Sequence, residues 1–159
     1  MAPTGPLPRS PGVGLVLSAA ETDRLCGVLG GAGRTLAVDE QARGVPAEQR
    51  VAPRLDRVAH DLLGRLLDAR QASVRLDVPV RLDPGETAAV LGLLERAAAG
   101  LAGFAGRREG GGYLLGPDHF REQAAEAHAW RADLAGLAER QHHRAGCQRP
   151  AGRDAGVQR

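Results

Sequence analysis

The clearest pattern in the chain is a strict alternation of apolar and polar residues at positions 74–82. Every second residue is apolar over these nine positions: Val74, Leu76, Val78, Val80 and Leu82. Such alternation predicts a β-strand with one buried face. Pro79 falls on the polar phase and has no backbone N–H, which predicts an edge strand or a bulge at this position.

Two helices are predicted to begin with the same capping signal. Ser18 is followed three residues later by Glu21, and Asp83 is followed in the same way by Glu86. In a capping box, the first side chain accepts a hydrogen bond from the helix end, and the glutamate reaches back to the cap. Each box follows an apolar run, which is Val13–Leu17 in the first case and the alternating strand in the second. The sequence therefore predicts a strand–cap–helix unit that is used twice.

The two units align at an offset of 65 residues. Segments 15–32 and 80–97 share six identical pairs: Leu17/Leu82, Glu21/Glu86, Thr22/Thr87, Gly27/Gly92, Leu29/Leu94 and Ala32/Ala97. Two explanations stay open, an internal duplication and the repeated use of one local pattern for starting a helix. Both predict the same local structure.

The first helix is predicted to end in a run of glycines. Its apolar stripe is formed by Leu25, Val28, Leu29 and Ala32. Gly30, Gly31 and Gly33 then favour helix termination, and residues 33–45 are expected to form a loop. The run differs from a phosphate-binding loop, because it lacks the lysine and lies at the end of a helix. We interpret it as a helix terminator.

A second helix is predicted from Pro46 or Pro53, both suited to a first helical turn, to about Ala69. Its apolar stripe comprises Leu55, Val58, Leu62, Leu66 and Ala69, widened by Ala59, Leu63 and Leu67. Charged side chains, including Arg54 and Arg57, occupy the opposite side, so the helix is amphipathic.

Two more helices complete the prediction. The helix after Asp83 carries one apolar face, made of Val90, Leu94, Ala97, Leu101 and Phe104. A glycine-rich loop leads to a candidate third strand at Tyr113–Leu115, and Pro117 and Asp118 open a last helix that reaches about Gln141. The predicted fold class is α+β and predominantly helical, with about four helices and a small sheet of two or three short strands.

Residues 13–141 are expected to form a single domain between two disordered segments. Residues 1–12 are rich in proline and show no periodicity, which is typical of a disordered arm. Apolar periodicity stops again at His142, so residues 142–159 are expected to form a disordered, Arg-rich tail.

Composition limits what the basic residues can mean. The chain has no Lys, Ile or Asn, and all 21 basic residues are Arg. Because these three absent residues have AT-rich codons, a GC-rich genome is the simplest cause, and the choice of Arg says little about phosphate recognition. Residues 140–159 hold five Arg against Asp154 alone, and the rest of the chain is slightly acidic. The positive charge therefore belongs to the tail.

The candidate catalytic and cofactor-binding residues all have simpler structural interpretations. Glu21 and Glu86 could form a symmetric carboxylate pair, but capping explains both at their spacing. The serines are Ser10, Ser18 and Ser73, and none lies in a nucleophile-elbow motif. We expect no catalytic and no cofactor-binding site.

Two clusters have the residue types of a metal site. His119, Glu122 and Glu126 fall on one face of the last helix, where early acids also suit the helix dipole. His142, His143 and Cys147 lie in the predicted tail. One helix face rarely completes a coordination sphere, so we interpret the first cluster as a solvated face. No metal site is predicted.

The two cysteines and the N-terminal region favour the cytoplasm. Cys26 and Cys147 do not make a disulfide framework, and Cys26 adjoins an apolar stripe as a small core residue would. The apolar run near the N-terminus is too short for a convincing signal peptide or membrane span. We therefore expect a cytoplasmic protein without a membrane partner.

Trp130 is the residue most suited to a partner. It is the only Trp, on a helix made mostly of Ala and Leu, and it would serve either as a core anchor or as an interface anchor. A core with only four aromatic residues also gains stability from area buried against a partner.

These observations favour a non-enzymatic protein-interaction or regulatory module that binds a protein partner or forms a homo-oligomer. The alternative is a nucleic-acid-associated protein that uses the Arg-rich tail.

Overall fold

Four helices and a two-stranded sheet form the fold. The computed structural model describes residues 14–72, 77–107 and 116–148. The predicted arm at 1–12, the end of the tail and the third strand at 113–115 lie outside these residues. The elements are β1 (Leu15–Leu17), α1 (Ala19–Ala42), a 3₁₀ turn (Ala47–Gln49), α2 (Ala52–Ala72), β2 (Val80–Leu82), α3 (Pro84–Arg107) and α4 (Pro117–Gln148). The predicted fold class, α+β and predominantly helical, is confirmed.

Both capping boxes are present at the predicted positions. At the start of α1, the Glu21 N–H donates to Ser18 Oγ at 3.1 Å, and the Ser18 N–H donates to the Glu21 carboxylate at 3.4 Å. At the start of α3, the Glu86 N–H donates to Asp83 Oδ1 at 2.7 Å, and the Asp83 N–H donates back at 3.2 Å. Two N–H groups without helical partners are therefore satisfied at each helix start.

The two units repeat over more of the chain than the sequence identities cover. Helices α1 and α3 begin at residues 19 and 84 and are both 24 residues long, and α2 and α4 begin at residues 52 and 117. Both pairs of starting positions differ by the same 65 residues. Equivalent stripe positions are buried in both units: Leu25/Val90, Leu29/Leu94, Ala32/Ala97 and Leu36/Leu101. The fold thus consists of two strand–helix–helix units.

The sheet joins the two units symmetrically. Strands β1 and β2 are antiparallel, and Leu15, Val16 and Leu17 pair with Leu82, Arg81 and Val80. If each residue is replaced by its equivalent in the other unit, 65 positions away, the same three pairs result. A local pseudo-twofold axis therefore passes through the central Val16–Arg81 pair.

The outer edge of β1 is closed by a side chain from α4. The amide of Gln141 accepts a hydrogen bond from the Val16 N–H at 2.8 Å and donates one to the Val16 carbonyl at 2.9 Å. The side chain thereby pairs with the strand as a neighbouring strand would, and it covers an edge that would otherwise carry open backbone groups.

One main apolar cluster draws on both strands and all four helices. Nine of its leucines are 0–1% exposed: Leu15, Leu17, Leu25, Leu29, Leu55, Leu62, Leu66, Leu94 and Leu101. A smaller cluster holds Phe104, Ala105 and Phe120, and its two rings meet edge to face at 4.6 Å between centroids. Of the residues predicted to widen the α2 stripe, Leu63 and Leu67 are exposed.

The prediction that Gly30, Gly31 and Gly33 end the first helix is wrong. Helix α1 continues through them to Ala42, so most of the predicted loop at 33–45 is helical. Gly33 lies against α2, where a Cβ atom would be 3.4 Å from Leu55 Cβ. A mid-helix glycine costs only about 1 kcal/mol relative to alanine, and the packing of α1 on α2 exceeds that cost.

Helix α1 ends instead in a Schellman motif at Gly44. This residue has φ +65°, the only positive φ among the described residues. The Val45 N–H donates to the Glu40 carbonyl at 3.0 Å, and the Gly44 N–H donates to the Gln41 carbonyl at 3.1 Å. These are the two bonds of the motif, and the left-handed residue between them favours glycine.

We predict opposite effects for alanine at two glycines of this region. Gly31→Ala should raise the free energy of unfolding by about 0.5–1 kcal/mol, because the site is mid-helix and a Cβ atom there would meet only the end of the Arg34 side chain. Gly44→Ala should lower it by about 1–2 kcal/mol, because alanine is strained at positive φ. Urea denaturation measures both. A loss of stability in Gly31→Ala would contradict the helical, unobstructed environment of this glycine.

Two other boundaries differ from the predictions. The strand expected at 74–82 is present only at Val80–Leu82. Asp77, Val78 and Pro79 are not in a strand, because β1 offers only three residues for pairing, and residues 74–76 lie outside the described part. Helix α4 extends to Gln148, so residues 142–148 of the expected disordered tail are helical.

Helix α3 is the one described helix that is long and apolar enough to cross a membrane by length and composition alone. Its predicted apolar face is nevertheless buried within the protein: Val90, Leu94, Ala97, Leu101 and Phe104. The core helix of a folded domain has the same composition.

Candidate interaction surface

Glu21 and Glu86, the candidate carboxylate pair, are both engaged in capping. Glu86 has a further partner, because its carboxylate accepts a hydrogen bond from Arg65 of α2. This bond raises the pKa of the Arg65 guanidinium above its usual value. Arg65 also pairs with Asp61 at 3.1 Å. The structure therefore uses Glu86 to join α2 to the start of α3.

Two buried acids that the sequence placed in a loop lie near the end of α1. Asp39 is bound by Arg43 at 3.0 Å and by Arg107 of α3 at 2.7 Å. The Glu40 carboxylate accepts the backbone N–H groups of Val51 and Ala52, both at 2.7 Å. Each acid is satisfied by the surrounding structure, as buried charges require, and each ties α1 to another element.

The predicted histidine clusters lie on exposed faces of α4. His119, Glu122 and Glu126 are all exposed. Further along the helix, Cys147 Sγ is 3.8 Å from His143 Nε2. Within the described ranges, no group of three His, Cys, Asp or Glu residues is arranged to hold a metal ion.

Cys26 has the character expected of a small core residue. It is partly buried and packs against the main cluster. Burial, together with the nearby charge of Asp23, raises the pKa of its thiol. A raised thiol pKa lowers the thiolate fraction at neutral pH, so Cys26 is poorly suited to act as a nucleophile.

A groove between α2 and α3 gathers three arginines around an apolar floor. Arg54 and Arg57 of α2 and Arg96 of α3 line its rim, and Val58, Gly92 and Leu93 lie among them. Its volume is about 420 Å³. Ala88 and Ala89 continue the lining along α3, so no acidic residue is part of it. We call this surface the arginine groove.

The rim arginines have no ion-pair partner. Among the described residues, no salt bridge involves Arg54, Arg57 or Arg96. Within the part of the chain that the structure describes, the one side-chain hydrogen bond from these three arginines runs from Arg54 to the Glu48 carbonyl, at a long 3.5 Å. Three exposed guanidinium groups thus converge on a surface where an anionic ligand would supply the missing partners.

The pseudo-twofold axis relates the arginine groove to a second groove between α1 and α4. This second groove has a volume of about 480 Å³ and is lined by Arg24, Gly27, Val28, Glu126 and Trp130. Its residues 24, 27 and 28 are equivalent to Ala89, Gly92 and Leu93 in the first groove. The α3 part of the floor, Gly92 and Leu93, is therefore repeated on α1 as Gly27 and Val28, whereas Val58 of α2 is replaced by Gln123.

The charges, in contrast, are not repeated. At the positions equivalent to Arg54, Arg57 and Arg96, the other unit has His119, Glu122 and Gly31. Asp23 and Arg24 likewise replace Ala88 and Ala89. The two equivalent surfaces therefore differ in charge, and the arginine groove is the basic one.

Trp130 is half-buried and packs against the main core cluster, and its exposed part lines the second groove. It stands at the position equivalent to Arg65. The buried part of the Trp130 side chain therefore acts as a core anchor. That its exposed part contacts a partner stays a prediction.

The arginine groove is not predictable from the periodicity of the sequence. Helical spacing correctly places Arg54 and Arg57 on the polar side of the second helix, but it does not show that Arg96 of another helix lies beside them. The one feature of the sequence that indicates this groove is the apolar Val58, which borders the face of the second helix that carries Arg54 and Arg57.

No protein-family model, curated protein or solved structure matches this chain.

Proposed function

We propose that this protein is a non-enzymatic interaction module whose arginine groove binds an acidic, helical segment of a protein partner. The observation that carries the proposal is the convergence of Arg54, Arg57 and Arg96, without ion-pair partners, around an apolar floor. Carboxylates on a partner would form charge-assisted hydrogen bonds with the rim.

The shape of the surface supports a helical partner. The groove runs between two helices, and its α3 side carries three small residues, Ala88, Ala89 and Gly92, beside Leu93 and Arg96. Small residues let a third helix approach closely, and an amphipathic helix laid in an apolar groove is a recurring mode of recognition. The non-enzymatic part of the proposal is supported by the structural engagement of Glu21, Glu86, Asp39 and Glu40.

We predict that a synthetic helical peptide, in which two Glu residues alternate with two Ala residues, will bind this groove. We call it the Glu/Ala peptide. In a titration followed by NMR, the Nε–Hε signals of Arg54, Arg57 and Arg96 should shift with the Glu/Ala peptide and not with a Lys/Ala peptide. The double variant Arg57→Ala/Arg96→Ala should bind about tenfold more weakly, since loss of about 1.4 kcal/mol is a factor of ten. Arg70→Ala is the matched control, because Arg70 is an exposed arginine of α2 outside the groove.

The same titration tests the nucleic-acid alternative. A short DNA duplex is added in place of the peptide, to the full chain and to a variant that ends at Gln148. The truncation stops at the end of α4, because this helix carries Gln141, which holds the edge of β1; it removes three of the five arginines of the basic segment, Arg149, Arg153 and Arg159. Salt-sensitive DNA binding that disappears on truncation, with no response to the Glu/Ala peptide, would overturn the proposal in favour of tail-mediated binding.

A further inference from the structure

One face of α4 carries acidic residues and alanines, as a helix that binds the arginine groove would. Glu122, Glu126 and Asp133 follow one face of this helix, and Ala125 and Ala129 lie between them on the same face. All five side chains are exposed. We call this face the acidic ridge.

The carboxylates of the ridge are free to pair with another molecule. No salt bridge or side-chain hydrogen bond of Glu122, Glu126 or Asp133 is present among the described residues. Three unpaired carboxylates on one surface of the chain therefore match three unpaired guanidinium groups on another.

The spacing of the charges is compatible along both helices. Glu122 and Glu126 are separated by about 6 Å of helix rise, and Arg54 and Arg57 by about 4.5 Å. The ridge presents alanines between its acids, and the groove presents Val58 and Leu93 between its arginines. Apolar surface would then meet apolar surface while the charges pair around it.

We propose that the partner of the arginine groove is a second copy of this chain, which inserts its acidic ridge. This inference rests on the proposed function, in which the groove binds an acidic helix. The groove and the ridge are different surfaces of the protein, so the contact is heterologous. It produces an open string of molecules, or a closed dimer when each of two molecules inserts its ridge into the groove of the other.

The contact is tested by charge reversal on each side. The groove variant carries Arg54→Glu and Arg57→Glu, and the ridge variant carries Glu122→Arg and Glu126→Arg. Sedimentation velocity is measured at protein concentrations up to about 1 mM, where even contacts of about 4 kcal/mol form. A reductant excludes disulfides through the exposed Cys147. The wild-type protein should associate, and each variant alone should associate at least about tenfold more weakly, since like charges would then face each other.

An equimolar mixture of the two variants gives the decisive result. Each variant's altered surface is complementary to the other's, so the mixture should regain association although each variant alone has lost it. A control pair has the same charge changes elsewhere on the surface, Arg70→Glu/Arg140→Glu and Asp68→Arg/Glu139→Arg. Each control variant alone should still associate as the wild type does. Helical circular dichroism of every variant verifies that it is folded.

The outcomes separate this inference from the proposed function. A wild-type protein that stays monomeric while the Glu/Ala peptide binds the groove would overturn self-association and leave the proposed function standing. Association that persists equally in both reversal variants would place the contact elsewhere and overturn the inference. Absence of both peptide binding and association would overturn both.

Association through paired surface charges should also weaken with salt. The Debye length falls from about 10 Å at 0.1 M salt to about 3 Å at 1 M. The wild-type complex should therefore dissociate as salt is raised. Association that strengthens with salt would indicate an apolar contact between other surfaces, contrary to the proposal.

Discussion

Replacing Leu94 with alanine should lower the free energy of unfolding by about 2–5 kcal/mol. Leu94 is completely buried on α3 and belongs to the main cluster. The substitution removes the transfer free energy of the lost methyl and methylene groups and leaves a cavity that close-packed neighbours cannot fill. A loss of this size is a large share of the 5–15 kcal/mol that usually stabilises a domain.

Urea denaturation followed by the fluorescence of Trp130, the only Trp of the chain, measures this effect. Leu67→Ala is the control, since Leu67 is 48% exposed and its truncation should change stability by about 0.5 kcal/mol or less. Equal losses in the two variants would contradict the position of Leu94 in the core.

The equivalent residue of the first unit extends this prediction. Leu29 is also completely buried and lies in the same cluster. Leu29→Ala should therefore cost a similar amount, and Trp130 fluorescence and helical circular dichroism should report one transition. Separate transitions would show that the two units unfold independently, although they share a core.

Replacing Glu40 with alanine should cost about 2–4 kcal/mol, since it leaves two backbone donors at the start of α2 without an acceptor. Its carboxylate accepts the N–H groups of Val51 and Ala52. Ala52 is buried, so water cannot readily replace the lost acceptor. The negative charge is also favourable at the positive end of the α2 dipole.

Two further substitutions isolate the role of this carboxylate. Glu40→Gln keeps one acceptor oxygen and should cost about half as much as Glu40→Ala. Glu48→Ala removes an exposed glutamate of the same connection and should change stability by about 0.5 kcal/mol or less. The three are compared by urea denaturation, and a Glu40→Ala variant as stable as Glu48→Ala would show that the two backbone bonds contribute nothing.

Local patterns predicted the starts of α1 and α3 well. Capping depends on residues three positions apart, so Ser18 with Glu21 and Asp83 with Glu86 carry the whole signal within a few residues. The apolar stripe of α3 was equally readable, because helical spacing alone brings its residues to one face.

The wrong predictions, the end of α1 and the length of β2, concern places where contacts with another element outweigh the local conformational preference. Glycines at positions 30, 31 and 33 favour a helix end, but α2 packs against Gly33 and the helix continues through all three. The alternation at 74–82 favours a long strand, but β1 has only three residues with which to pair. In both cases the neighbouring element determines the outcome, and the local sequence does not specify that neighbour.

The sequence by itself determined that two strand–cap–helix units follow one another at an offset of 65 residues, because that information is repeated locally in each unit. Only the tertiary structure decided that the units pair about a pseudo-twofold axis and that the equivalent grooves differ in charge. Each groove is lined by residues of two different helices, so its lining depends on how the helices pack rather than on the periodicity within either one. The arginine groove is therefore a property of the packed molecule, although each of its arginines is visible in the chain.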